Sequence, residues 1–167
     1  MTKSVFVTGA TGFIGSRLVA NLAENQYHVT SLIRKGKESH PKSKKIIGDL
    51  TDSNLEIPIE NTDCVLHLAS HTPLEKNKKI LEKVNLGGTK NLFDKIKDKT
   101  KSVIYVSGLG VYGDPGTKVV DESFPYNPNT NFVKTRLEAQ KYLQEDCEKL
   151  GINFGVVHFG DVYGPRG

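Results

Sequence analysis

A glycine-rich turn near the N-terminus constrains the fold of this chain more than any other feature. Gly9, Gly12 and Gly15 lie between a short apolar run, Val5–Val7, and a stretch in which apolar residues recur with helical spacing. Strand, glycine turn and helix in this order are typical of a site for the pyrophosphate of a dinucleotide. One glycine takes a positive φ angle, one lets the phosphates approach the backbone, and one lets the helix pack closely on the strand. The free N–H groups at the start of the helix then face the anion.

The spacing of these glycines leaves one alternative open. It is G-x-x-G-x-x-G, whereas the common dinucleotide fingerprint is G-x-G-x-x-G. The glycines alone would also fit a strand-to-helix turn that binds no ligand. The strand before them and the helix after them favour the dinucleotide site.

The composition excludes several classes of function. The 167 residues suffice for about one domain, and the formal net charge of +4 comes from scattered lysines. Because no basic block is interleaved with aromatic residues, we expect no nucleic-acid partner. No apolar run approaches the length of a membrane span and no signal peptide is recognisable, so we expect no membrane partner. Cys64 and Cys147 lack metal-ligand spacing, which predicts separate buried thiols, no metal site and a reducing compartment such as the cytoplasm.

Apolar runs alternate with helical patterns along the chain. Since successive parallel strands need right-handed crossovers, this predicts an α/β fold, a doubly wound parallel sheet of order 3-2-1-4-5-6 with helices on both faces. Lys35–Lys45 and Asp114–Asn129 are predicted loops. The predicted elements are strand Val5–Thr8, helix Gly12–Asn25, strand His28–Ile33, a short strand near Ile46 and Ile47, strand Val65–Leu68, a long helix within Leu74–Asp98, strand Val103–Ser107, a helix from Phe132 to Leu150 with Gly151 at its C′ position, and strand Phe154–Phe159.

The end of the second predicted strand indicates the cofactor. An acidic residue at this point binds the ribose 2′-hydroxyl of NAD, whereas an arginine accommodates the 2′-phosphate of NADP. This chain has Arg34 and Lys35, with no carboxylate before Glu38. The sequence therefore predicts that NADP is preferred over NAD. The alternative is that Arg34 is only a solvated cation at the end of a strand.

Six motifs occur in order and cover the whole chain. Together they resemble the extended short-chain dehydrogenase/reductase superfamily, which includes the nucleotide-sugar epimerases and dehydratases. The resemblance implies a Rossmann-like fold, an NAD(P) cofactor, and an epimerase, dehydratase or oxidoreductase activity on a nucleotide sugar or a small ketone. The motifs are Thr8–Gly15, Gly48–Leu50, His67–Ser70, Val84–Thr89, Val111–Gly113 and Gly160–Pro165.

The resemblance also implies which residues contact the cofactor. His67 and Asn85 match family positions too, but a histidine at a strand end and an asparagine in a helix are more often structural. The turn Phe159–Val162 would hold the nicotinamide. The other implied contacts are Gly9, Thr11, Gly12, Phe13 and Ile14 at the pyrophosphate, Arg34 at the adenosine ribose phosphate, Asp49 and Leu50 beside adenine, Leu68, Ala69 and Ser70 on the ribose and nicotinamide side, and Arg136 at ribose hydroxyls.

Three positions depart from the family pattern at the catalytic site. Gly108 stands where family members carry a Ser or Thr that binds the substrate oxygen, and Phe132 and Arg136 stand where they carry Tyr-x-x-x-Lys. None of the six tyrosines is followed four residues later by a lysine. Phe132 has no proton to transfer, whereas Arg136 keeps the charge of the lysine. Ser107 is a candidate substitute donor, although alternation along the strand should point its side chain to the other face; Tyr112 is a further candidate.

Members of the superfamily continue beyond the last motif into a substrate-binding region. We therefore expect residues 1–167 to form a dinucleotide-binding domain without that C-terminal region, with weak or no hydride transfer. Three interpretations remain open. The first is an epimerase, dehydratase or ketone reductase with an unusual acid/base, and the second is a catalytically silent module that binds NADP for structure or redox sensing. The third is a subunit, for instance of a homo-oligomer, whose site another chain completes.

Overall fold

Six parallel strands form a single sheet in the computed structural model, which describes residues 2–165. Their spatial order is β3-β2-β1-β4-β5-β6, which confirms the predicted topology. The strands are β1 Ser4–Thr8, β2 His28–Ile33, β3 Lys44–Ile47, β4 Cys64–His67, β5 Ser102–Gly108 and β6 Asn153–Phe159. The helices are α1 Phe13–Glu24, α2 Lys78–Leu81, a π-helical turn Glu82–Gly87, α3 Gly88–Ile96, a 3₁₀ turn Leu109–Tyr112 and α4 Asn131–Leu150.

Helices cover both faces of the sheet, as the sequence predicts. Along β1 the side chains alternate between the two faces. Val5 and Val7 pack with Val19 of α1 in one buried cluster. Phe6 points to the opposite face and packs in a larger cluster with residues of α3 and α4. The sheet is therefore the middle layer of three, with α1 on one side and α3 and α4 on the other.

The third strand begins earlier than predicted. It starts at Lys44, inside the segment predicted as a loop, and pairs with β2 from Thr30↔Lys44 onward. β3 is an edge strand, and only Ile46 of its four residues is buried. Because three of its side chains face solvent, the strand tolerates the polar residues Lys44 and Lys45. The sequence therefore lacks the apolar run that would reveal the start of β3. The other strands, as well as α1 and α4, agree with the predictions to within one residue at each end.

The predicted long helix contains an irregular turn. Helical structure begins after Asn77, whose Oδ1 accepts a hydrogen bond from Lys79 N (3.1 Å), and runs to Ile96. Its middle, Glu82–Gly87, is π-helical. Such turns are often found at functional sites. The apolar residues keep a helical spacing through this turn. Hydrophobic periodicity therefore predicts a single helix.

The C-terminal half matches the expectations closely. Gly151 adopts a left-handed conformation (φ 68°) at the end of α4, as predicted. Asp114–Asn129 contains no helix or strand. Cys147 is buried, whereas Cys64 is only half-buried, which corrects the expectation of two buried thiols. None of the helices in residues 2–165 is long and apolar enough to cross a membrane.

Candidate dinucleotide site

The carboxyl ends of β1 and β4 form the point at which the strand order reverses. In a doubly wound sheet this is where a ligand crevice opens. The turns after the two strands touch: Leu68 N donates to Thr8 O (3.2 Å), and Ala69 N donates to Thr8 Oγ1 (3.3 Å). A Cβ added to Gly9 would lie 2.7 Å from Ala69 N. The structure thus brings the predicted pyrophosphate turn and the predicted nicotinamide-side segment together.

The three glycines of the turn are required for different reasons. Gly9 has a φ of 70°, which favours glycine. A Cβ on Gly15 would lie 2.1 Å from Gly9 O, so α1 can approach the turn only with glycine at this position. Gly12 has an ordinary φ of −75°, and its Cβ would meet only Gly9 O, at 3.3 Å. The packing of the chain therefore demands Gly9 and Gly15 more strongly than Gly12.

The N-terminal end of α1 fits an anion. Gly12 is its N-cap and provides no side chain to accept from the first N–H groups, and the first turn contains no acidic residue. Thr11, Phe13 and Ile14 around it are half-buried. The unsatisfied N–H groups and the helix dipole both favour a negatively charged group here. The pyrophosphate of a dinucleotide is a group of this kind.

Charged residues gather at the other end of the crevice, after β2 and β3. Asp49 Oδ1 accepts hydrogen bonds from Thr51 N and Thr51 Oγ1, both at 2.8 Å. These bonds, together with the positive charges of Arg34 and Lys83, lower the pKa of Asp49 from its ordinary value. Arg34 is exposed and forms no ion pair within residues 2–165. Leu50, next to Asp49, is buried.

A buried hydrogen-bond chain lies directly beneath the crevice. Thr8 Oγ1 lies 2.6 Å from His67 Nδ1, and His67 Nε2 lies 2.8 Å from Thr89 Oγ1. Because the Thr89 hydroxyl donates to Asn85 O (2.6 Å), it must accept from His67 Nε2–H. Because its lowered pKa keeps the imidazole neutral, Nδ1 accepts from the Thr8 hydroxyl. Burial and the charge of Arg136 lower the pKa of His67 to about 3.

The same chain continues to the start of α4. Asn85 Nδ2 donates to Thr135 Oγ1 (3.0 Å), and Asn85 Oδ1 accepts from His71 N (2.8 Å). The Thr135 hydroxyl donates in turn to Phe132 O (2.9 Å). The network connects the end of β1, through β4 and the π-helical turn, to the first turn of α4. The network fixes β1, β4, the π-helical turn and the start of α4 relative to one another.

His67 and Asn85 thus have the structural role that the sequence favoured. Thr89 and Thr135, which complete the network, are not found by sequence reasoning. For Thr89 the available signals are its place at the end of the motif Val84–Thr89 and its spacing from Asn85, which puts both residues on one face of a helix. Thr135 carries no local signal, since its partner lies fifty residues away in the sequence.

The residues at the catalytic positions surround the end of β5. Ser107 is buried and shares its face of the strand with Tyr105, whereas Gly108 points to the other face and is half-buried. This confirms the predicted alternation. A Cβ on Gly108 would have ordinary contact with Phe159 O, at 3.5 Å, so the fold has space for a side chain there.

Arg136 points inward rather than into open solvent. Its Nη2 donates to Val106 O, and its guanidinium lies 5.2 Å from the ring centroid of Tyr105 and 5.8 Å from that of Phe132. Phe132 itself is half-buried in the first turn of α4. Phe132 and Arg136 are therefore together, next to the carboxyl end of β5.

Tyr112, the other candidate donor, is held in a second polar cluster. Its hydroxyl lies 3.3 Å from His158 Nδ1, and His158 Nε2 lies 3.0 Å from Gln140 Oε1. Gln140 Nε2 donates to the hydroxyl of Tyr126 (2.9 Å), so Gln140 Oε1 accepts from His158 Nε2–H. In this tautomer, His158 Nδ1 accepts from the Tyr112 hydroxyl. Burial raises the pKa of Tyr112. The proton of Tyr112 is engaged inside the protein, which makes it a poor acid for a ligand.

Comparison with known proteins identifies the family. The profile of the NAD dependent epimerase/dehydratase family matches residues 5–167. The chain belongs to this family. A UDP-glucose 4-epimerase of Vibrio cholerae is 29% identical over 176 residues, which cover 99% of the chain and 53% of that protein. The chain spans about half the length of the curated relatives it matches.

Solved structures agree with the family assignment. A UDP-galactose 4-epimerase superposes with a TM-score of 0.87 at 25% identity, over 98% of the chain and 58% of that protein. A UDP-glucuronic acid 4-epimerase from Bacillus cereus in complex with NAD gives a TM-score of 0.86 at 25% identity, with the same coverage. The chain is thus an epimerase/dehydratase-like NAD-binding domain with a Rossmann-like fold.

Within residues 2–165 no group of three or more His, Cys, Asp or Glu side chains could hold a metal ion.

Two alanine substitutions in the glycine turn separate ligand binding from folding. We expect Gly12→Ala to weaken dinucleotide binding by at least about tenfold, because the new methyl group stands above the N–H groups of α1. Its free energy of unfolding should change by less than about 1 kcal/mol. Gly15→Ala should instead lower the free energy of unfolding by about 1–3 kcal/mol or more, because its Cβ meets Gly9 O. Urea titration and calorimetry measure the two quantities; unchanged binding in folded Gly12→Ala would contradict this assignment.

The buried His67 should make the protein less stable in mild acid. Its folded pKa of about 3 lies below the ordinary value of 6.5, so the unfolded chain takes up a proton that the folded chain does not. Stability is full above about pH 6.5, and the contribution falls by about 1.4 kcal/mol per pH unit below it. His67→Gln should lower stability at neutral pH and make this slope shallower, as urea titrations between about pH 6.5 and 4.5 would show. His28→Gln, which removes an exposed histidine, is the control; a His67→Gln slope equal to that of the parent would refute the assignment.

Proposed function

We propose that this chain is an NADP-preferring dinucleotide-binding domain of an epimerase/dehydratase-like or ketone-reductase-like enzyme, with weak or no catalytic activity of its own. The observation that carries the proposal is the uncapped N-terminal end of α1 beside Gly12, at the point where the strand order reverses. The family of the chain uses NAD, and a solved relative binds it. The nucleotide sugars named for relatives make a nucleotide sugar the first substrate class to test.

The pyrophosphate is assigned to the N–H groups at the start of α1. The adenine is assigned to the loop after β3, and the nicotinamide side to the segment after β4, because both border the same crevice. The contact between Gly9 and Ala69 supports this arrangement. The proposed contacts are Gly9, Thr11, Gly12, Phe13, Ile14, Arg34, Asp49, Leu50, Leu68, Ala69, Ser70 and Arg136.

Positive charge near the adenosine end of the crevice supports the preference for NADP. Arg34 is exposed directly after β2, and its charge and that of Lys83 both act on Asp49. Two cations near the adenosine end favour the additional phosphate of NADP. A guanidinium suits this role because it binds phosphate through two parallel N–H bonds.

The residues around the carboxyl end of β5 support weak or absent catalytic activity. When bound, a nicotinamide dinucleotide supplies the hydride chemistry, and the protein must supply the proton and orient the substrate oxygen. Gly108 has no hydroxyl, Phe132 has no ionisable proton, and the hydroxyl of Tyr112 is engaged by His158. Loss of a positioned acid/base typically lowers the rate by about 10²–10⁴.

A second candidate function follows from the same observation. A domain that keeps the dinucleotide crevice but not the proton donor can use NADP as a structural or redox-sensing ligand. Substrate turnover distinguishes the two candidates. If another copy of the chain completes the active site, the turnover rate per chain should rise with protein concentration.

Cofactor preference is tested by titrating the chain with NADPH and NADH. We expect NADPH to bind more tightly, and Arg34→Asp to reverse the order. A charge-assisted hydrogen bond of about 1.5–3 kcal/mol corresponds to a change of roughly 10- to 150-fold in the dissociation constant. Lys37→Asp changes the net charge equally in the following turn and should leave the order unchanged. Equal affinities before and after Arg34→Asp would show that Arg34 is only a surface cation.

Hydride transfer is tested by following the interconversion of UDP-glucose and UDP-galactose chromatographically in the presence of NADP⁺ or NAD⁺, and by following NADPH consumption with small ketones. We expect no turnover by the chain above the background rate, while the epimerase of Vibrio cholerae serves as the active control for sugar interconversion. The triple variant Gly108→Ser, Phe132→Tyr, Arg136→Lys tests whether the family groups restore cofactor geometry. Robust turnover by the unmodified chain would overturn the proposal and direct attention to Ser107 and Tyr112.

A further inference from the structure

Arg136 is a buried cation without a buried anion. Only 7% of the residue is exposed, and Val106 O is its one hydrogen-bond acceptor within residues 2–165. The ion pairs found in this part of the chain lie at the surface, and none includes Arg136. A carbonyl oxygen carries only a partial charge, so it does not balance a guanidinium. A buried charge without a partner is costly, which points to an anion that binds here.

The groups that face Arg136 do not provide this anion. His67 on β4, Tyr105 on β5 and His158 on β6 all feel its charge. An imidazole is neutral or cationic, and burial raises the pKa of the Tyr105 hydroxyl, so none of these three groups is an anion. The ring of Phe132 is apolar. The side chains shown to face the guanidinium from β4, β5, β6 and α4 therefore provide no negative charge.

A second unsatisfied group lies beside the guanidinium. Ser107 Oγ is the one buried side-chain oxygen or nitrogen atom in residues 2–165 that has no hydrogen-bond partner. Ser107 is only 6% exposed, and its side chain points to the face of β5 that carries Tyr105, over whose ring Arg136 lies. The carbonyl group that Arg136 contacts belongs to the peptide that links Val106 to Ser107. A buried hydroxyl without a partner calls for an explanation, and a ligand oxygen provides one.

We propose that Arg136 and Ser107 form a binding site for a carboxylate, so that the ligand of this crevice is an acidic molecule such as a sugar acid. Arginine has five N–H donors in a fixed plane, of which two can hold the two oxygens of one carboxylate. The Ser107 hydroxyl adds a third donor to the same group. A lysine ammonium group cannot hold both oxygens of a carboxylate in this way. The proposed ligand therefore accounts for an arginine, and not a lysine, at position 136. The inference rests on the proposed function only in placing the site beside the crevice.

The test compares glucuronate with glucose as probes of the whole chain. Thermal unfolding is followed with sodium D-glucuronate, and with D-glucose plus sodium chloride at matched ionic strength. We expect glucuronate to raise the melting temperature and glucose to leave it unchanged, because a ligand that binds only the folded state stabilises it. Arg136→Met should abolish the shift, Ser107→Ala should reduce it, and Arg17→Met, which removes an exposed arginine, should retain it. The dissociation constant of glucuronate should rise by at least about tenfold in Arg136→Met.

Two further measurements distinguish a lost binding site from a misfolded variant. Without any ligand, Arg136→Met should be at least as stable as the parent, since it removes an uncompensated buried charge. If it does not fold, Arg136→Lys, which keeps the charge without the paired donors, should show the same loss of glucuronate affinity. No shift with glucuronate, a shift that persists in the Arg136 variants, or a larger Arg136-dependent shift with phosphate would each overturn the carboxylate site. Dinucleotide titrations of the parent chain report separately on the proposed function; the Arg136 variants are left out of this comparison because Arg136 is also a proposed dinucleotide contact.

Discussion

The approach of α1 to the turn after β1 is the constraint on which the rest of the structure depends. A Cβ on Gly15 would lie 2.1 Å from the carbonyl oxygen of Gly9, so the helix can reach this position only without a side chain there. The approach directs the first N–H groups of α1 at the crevice between β1 and β4. Gly9, with its positive φ, then leaves the segment Leu68–Ala69 space to close the other side. The geometry of the proposed pyrophosphate site follows from these two backbone contacts.

The buried network around His67 extends the same constraint across the sheet. It begins at Thr8, the residue before the glycine turn, and ends at Phe132 O in the first turn of α4. The glycine turn and the first turn of α4 are thus connected by one hydrogen-bond network. Because each hydroxyl and amide between Thr8 and Thr135 in this network has a defined donor or acceptor, the network does not depend on the side chains at the family's catalytic positions.

The sequence predicts this architecture well where short-range patterns carry the information. The alternation of apolar runs and helical spacing is enough for the strand order, and Gly151 is recognisable as a helix end. Lys44 at the start of β3 escapes prediction because an edge strand buries little. Thr135 and the inward turn of Arg136 escape it because their partners lie far away in the sequence. Local patterns thus locate the dinucleotide crevice, whereas the polar interior that supports it depends on tertiary packing.

The central claim is that a dinucleotide lies in this crevice with its pyrophosphate at the start of α1. The most direct measurement is a titration of the ¹⁵N-labelled chain with NADP⁺, followed through its backbone amide resonances. The account predicts the largest changes at Gly12, Phe13 and Ile14, with further changes in the segments Asp49–Leu50 and Leu68–Ser70. Changes confined to the surface around Tyr126, or no saturable change at the start of α1, would contradict it.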